Sequence, residues 1–89
     1  MRKETLDNYI KAVTNGLTNG YGYLDSFTTA QIDILYNIIQ SIRKEPITGG
    51  TNRDKVKYFT RYYSNKDSII FAKYINNVAL VYDDLLKAM

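Results

Sequence analysis

The chain contains no cysteine, no histidine and no tryptophan, and one proline in 89 residues. Without cysteine there is no disulfide framework, no thiolate zinc site, no iron–sulfur cluster and no cysteine nucleophile. Without histidine the commonest general base and the commonest transition-metal ligand are both missing. Long apolar runs are absent too. The longest, Val78 to Tyr82, is five residues, against the roughly 20 that a membrane span needs. No apolar core of roughly 7–15 residues follows the basic start Met1-Arg2-Lys3, so no secretory leader is expected. The sequence reads as a soluble, cytoplasmic protein with no membrane partner, in a host cytoplasm if a phage encodes it.

What remains is an ordinary globular composition with one excess. A hydrophobic fraction of 45% and a charged fraction of 24% exclude a disordered chain. The length suits a single domain over 1–89, able to bury roughly 60–70% of its unfolded surface and fold without staples. The excess is tyrosine, at nine residues. Heavy use of Ile, Asn, Lys and Tyr suggests an A·T-rich coding sequence, of the kind that phages and other mobile elements supply.

Three punctuation points divide the chain. Thr14 to Gly22 holds two Asn-Gly pairs and three glycines, a turn signal. Pro46 to Asn52 holds a Gly-Gly pair, and Ser64 to Asp67 is short and polar. The four segments between them, at about 4–15, 28–45, 52–64 and 67–88, all show helical periodicity. Leu6, Tyr9, Ile10, Val13 and Leu17 share one face of the first. Thr28 and Gln31 fit a capping box at the start of the second, with Phe27 and Ile32 placed as its hydrophobic staple. Arg43 and Lys44 complement the dipole of its last turn, and Pro46 stops it. Thr51 and Asp54 cap the third. Phe71, Ile75, Val78, Tyr82, Leu85 and Met89 run as a heptad-like seam along the fourth. The expected fold is all-α: a bundle of about four helices with a long, central C-terminal helix.

Catalytic and ligand-binding patterns are missing. Thr48 to Lys55 superficially suggests a phosphate loop, but no glycine precedes Lys55, Val56 follows it, and a helix rather than a strand comes before. Asp83 and Asp84 point about 100° apart on a helix, so they do not converge on a substrate. No Asp-x-Asp-x-Asp-Gly calcium loop is present. The chain therefore reads as non-catalytic, with no cofactor and no metal. A helix-turn-helix over the third and fourth segments is disfavoured because the basic helix comes first and the second, apolar one would have to read base edges.

Charge is unevenly spread. The net +3 conceals a +5 stretch from Arg43 to Lys73, with eight basic and three acidic residues, against −2 for the rest. Within that stretch Val56, Phe59, Thr60 and Tyr63 share an inward face of the third helix. Arg53, Lys55, Lys57, Tyr58, Arg61, Tyr62 and Lys66 remain as a basic, tyrosine-rich face for a partner. Tyrosine and arginine anchor protein interfaces, and lysine, arginine and aromatic rings also suit nucleic acid. The expected function is stoichiometric binding by a small interaction protein, plausible as a phage or mobile-element inhibitor or accessory factor. Its partner would be an acidic protein surface or a nucleic-acid-binding site. The alternatives are direct binding of DNA or RNA through phosphate, and a homodimer or larger homo-oligomer built on the seam of the fourth helix.

Overall fold

The computed structural model describes residues 3–16, 18–43, 46–66 and 68–89, with side chains except at positions 18, 19, 64–66 and 68. Five α-helices and one 3-10 helix account for most of them, and no strand occurs among the described residues. The expected all-α class holds; the count of about four helices does not. The Cα radius of gyration is 11.6 Å, close to the ~12 Å of a compact domain of this length.

Helix α1, Lys3–Thr14, buries Leu6, Tyr9 and Val13 on the face read from their spacing, and Ala12 joins them. Leu17, expected on that face, lies outside the described residues. The glycine-rich stretch that follows is not a simple turn. Residues Thr18–Ser26 form a 3-10 helix of nine residues, long for a geometry with strained hydrogen bonds. Its propensity is poor, so packing must hold it. Leu24 is fully buried. Gly20 lies against α1 so closely that a Cβ there would stand 3.1 Å from the Ala12 Cβ and 3.3 Å from Val13 Cγ1. A methyl group there would force Ala12 and Val13 to give by a few tenths of an ångström.

Helix α2, Thr29–Ile42, starts as the sequence implies. The Thr28 hydroxyl accepts from the Gln31 amide at 3.1 Å, and Gln31 Oε1 accepts from the Thr28 amide at 2.8 Å. Phe27 and Ile32, the staple pair, are both buried. The end of the expected 28–45 span, Lys44 and Glu45, lies outside the described residues. Helix α3, Asn52–Lys66, has its own reciprocal cap: Asp54 accepts from the Thr51 amide and Thr51 from the Asp54 amide, each at 3.2 Å. Val56, Phe59 and Thr60 are fully buried and Tyr63 is half-buried, as the face assignment requires.

The expected long helix over 67–88 is instead two: α4, Ser68–Leu80, and α5, Tyr82–Lys87, with Val81 between them at φ −101°, ψ 16°. Backbone bonds from Val81 to Asn77 and from Leu85 to Val81 carry the chain through the bend. No proline or glycine lies there, so periodicity gave no sign of a break. Tertiary bonds hold the segment that follows it. The Tyr82 hydroxyl donates to Asp7 Oδ1 at 2.5 Å, and Gln31 Nε2 donates to the Leu85 carbonyl at 2.8 Å. Helix α4 packs on α1, α2 and α3, but it is not enclosed: Ile69 and Leu80 are 71% and 82% exposed. Within the seam Phe71, Val78 and Leu85 are buried and Met89 is exposed.

One hydrophobic cluster takes residues from every helix, with Phe59 at a crossing of rings: it lies 4.8 Å from Tyr74 edge-on and 6.0 Å from Phe71. Polar groups inside it are bonded. The Tyr9 hydroxyl lies 2.6 Å from Thr60 Oγ1 and 2.8 Å from the Tyr74 hydroxyl. Burial pushes the Tyr9 phenol up to about 12 and the Tyr74 phenol well above its ordinary value.

Candidate functional site

The outward face of α3 carries most of the expected partner residues, and the structure divides them into two groups. Tyr58 and Tyr62 stay at the surface, 48% and 43% exposed. One helical turn separates them, and their rings stack at 5.4 Å with an interplanar angle of 15°. Tyr62 also meets the half-buried Tyr63 edge-on at 5.2 Å. Stacking restricts the rotamers of both exposed rings before any partner arrives, which lowers the entropy cost of using them as anchors.

The cations of this face are more committed than the sequence suggests. Arg53 Nη1 donates to the carbonyls of Leu24 at 2.5 Å and Phe27 at 2.8 Å. It ties the end of the 3-10 helix to α3. Lys57 forms an ion pair with Asp25 of the same segment. The Lys55 ammonium lies 5.3 Å from the centroid of the Tyr36 ring, and the Arg61 guanidinium 5.9 Å from that of Tyr21. Arg53 is thus brought into the framework, while Lys55, Lys57, Tyr58, Arg61 and Tyr62 form the surface. The Lys66 side chain lies outside the described residues.

Arg43, not among the partner residues expected from sequence, joins the edge of this face. It is the C-cap of α2, with its amide donating to the Ile39 carbonyl. Its guanidinium lies 5.0 Å from the centroid of Tyr63. The loop from Pro46 to Gly50 then turns back toward α3, with Gly49 and Gly50 at φ +84° and +75°. Such angles favour glycine. A cavity of about 500 Å³ opens between loop and helix, lined by Arg43, Ile47, Thr48, Asp54, Lys55 and Tyr58 among others. From sequence, Arg43 is a dipole-complementing cation and the first residue of the basic stretch. Its proximity to a Pro/Gly loop that folds back on a second cationic helix was the signal available.

A second groove, about 690 Å³, lies on the far side of the chain order, between α1 and the bend after α4, and is lined by Ile10, Lys11, Ala79, Leu80, Tyr82 and others. At its rim the Tyr82 hydroxyl and then Lys3 hold the Asp7 carboxyl below the usual aspartate value. Asp83 and Asp84 are exposed on the first turn of α5. No cluster of three or more acidic residues suited to a metal ion occurs among the described residues. No helix among them is long and apolar enough to cross a membrane. Comparison with protein-family models, with curated proteins and with solved structures gave no match.

Proposed function

We propose that this protein acts by stoichiometric, non-catalytic binding, and that the outer face of α3 docks on an acidic protein surface. The observation that carries this reading is the stacked, half-exposed Tyr58–Tyr62 pair, bordered by Lys55, Lys57 and Arg61. Preordered tyrosines at the centre and positive charge at the rim are the anatomy of an interface anchor. The intramolecular bonds favour protein over nucleic acid as partner. Phosphate binding draws its strength from cations that displace condensed counterions. Here Arg53 is taken up by two carbonyls and Lys57 by Asp25, so the face offers more ring area than available charge.

The homo-oligomer reading draws less support, because Phe71, Val78 and Leu85 of the seam are buried within the chain, though Met89 is exposed. The test of the proposal is affinity capture with wild-type protein and with a Tyr58→Ala/Tyr62→Ala variant. A partner held by the first and lost by the second, with both folded, supports it. Retention of the same partner by the double variant refutes it. Titration with mixed-sequence duplex and single-stranded DNA at two salt concentrations separates the readings: affinity that drops steeply with salt would assign the face to nucleic acid.

A further inference from the structure

We propose that the cleft between the Pro46–Gly50 loop and α3 is a binding site for a carboxylate group, held by Arg43 and Lys55. Arg43 Nη1 is buried and has no hydrogen-bond partner, the only such side-chain nitrogen or oxygen among the described residues. A buried, unsatisfied charged donor is costly, and native structures retain few. Arg43 also lines the cleft. Its charge is met by a ring, that of Tyr63, and the charge of Lys55 by the ring of Tyr36. Neither cation forms an ion pair among the described residues. Among the described residues, then, the cleft presents two cations without an ion-pair partner.

The remaining lining selects among anions. Asp54 sits in the wall, its carboxylate already accepting from the Thr51 amide. Two cations and one carboxylate leave a single net positive charge, which suits a monoanion better than a dianionic phosphate. The planar fork of a guanidinium fits a carboxylate in the same way. Ile47 and Tyr58 provide apolar wall beside the charges, and the volume of about 500 Å³ leaves room for a ligand body beyond the carboxylate. It falls within the ~300–1,000 Å³ of sites for small molecules. Such a group reaches the cleft as a free organic acid or as an acidic residue of a bound protein. Because the cleft shares Lys55 and Tyr58 with the docking face, assigning it to a partner's acidic residue rests on the function proposed above.

The experiment is an amide-shift titration of the isotopically labelled protein with three probes: phenylacetate, a blocked peptide with a phenylalanine between two glutamates, and inorganic phosphate. Phenylacetate should give saturable shifts at Arg43, Ile47, Thr48 and Lys55. Arg43→Gln and Lys55→Gln should each weaken it by ~10-fold or more, as loss of a charge-assisted bond implies. Should Arg43→Gln fail to fold, Lys55→Gln carries the test alone. Binding of the peptide more tightly than phenylacetate assigns the site to a protein partner; the reverse assigns it to a free acid. Absence of saturable shifts, equal affinity in the folded variants, or tighter binding of phosphate overturns the proposal. Tyr62→Ala separates it from the docking reading, since Tyr62 does not line the cleft. That variant should keep phenylacetate affinity and lose partner capture. Capture that survives while phenylacetate binds sinks the docking face alone; capture that is lost while phenylacetate never bound sinks the cleft alone.

Discussion

The side-chain amide of Gln31 donates to the carbonyl of Leu85 at 2.8 Å, across 54 residues of chain. The neighbouring Thr28 hydroxyl donates to the Ala88 carbonyl at 2.6 Å. The same two side chains form the capping box of α2. One local device thus satisfies the orphan amides at the start of α2 and orphan carbonyls at the end of α5. Helix α5 has six residues, too few to persist alone, so it depends on this contact and on Leu85. Gln31→Met keeps the volume but leaves the Leu85 carbonyl and the Thr28 amide without these partners. It should cost about 2–3 kcal/mol, read from urea denaturation, with faster amide exchange in α5. A loss under about 0.5 kcal/mol would mean that water replaces the amide and the link is incidental.

Arg53 is the second such tie, and it separates framework from interface. Arg53→Met removes the donors to Leu24 and Phe27 while preserving the aliphatic stem. We expect a loss of about 2–4 kcal/mol, because charge-assisted bonds to two half-buried carbonyls disappear together. Lys57→Met, which removes an ion pair that stays in contact with water, should cost under about 1 kcal/mol. Equal, small effects from both substitutions would return Arg53 to the list of surface cations.

These ties explain which parts of the molecule could be read from sequence. The caps of α2 and α3 are local, three residues apart, so Thr28 with Gln31 and Thr51 with Asp54 were visible. The inward face of α3 follows from helical spacing alone. Thr18–Ser26 was not visible, because its glycines and Asn-Gly pairs spell a turn. What makes it helical is Leu24 in the core, the fit of Gly20 against Ala12, and Arg53 and Lys57 arriving from α3. The bend at Val81 is hidden for the same reason: Asp7 and Gln31, which hold the segment after it, lie far away in sequence. At the site, spacing put Tyr58 and Tyr62 together. It could not show that Arg53 is spoken for, nor that Arg43 comes to the same place.

The stacked tyrosines permit a test by contrast with their neighbour. Phe59 lies on the buried side of the same turn and touches Tyr74, Phe71 and Tyr63. Phe59→Ala should cost ~3–5 kcal/mol, enough to unfold a marginal chain. Tyr58→Ala and Tyr62→Ala, each about half exposed, should together cost less than about 1.5 kcal/mol, mostly the stacking itself. Thermal melts followed by circular dichroism measure all three. A melt of the double variant as low as that of Phe59→Ala would place the tyrosines in the core and remove the proposed face.

Alkaline titration tests the buried network of Tyr9, Thr60 and Tyr74. Both phenols are neutral below pH 10, the ordinary tyrosine value, in folded and unfolded chains alike. The stability of the network is therefore fully present there. Above pH 10 the unfolded chain sheds protons that burial makes the folded chain keep. The unfolded state then binds fewer protons, and stability falls as pH rises. For Tyr9, raised from 10 to about 12, the loss reaches about 2 kcal/mol by pH 12; Tyr74 adds to it. Urea midpoints should be flat with pH up to about 9.5 and then decline. Tyrosinate absorbance should show Tyr9 and Tyr74 ionising only as helical dichroism is lost. Tyr74→Phe removes one of the two protons, so its decline should be shallower, while the Tyr9–Thr60 bond stays. If all nine tyrosines ionised before any helix melted, the two phenols would have to be reached by solvent in the folded protein, contrary to their complete burial.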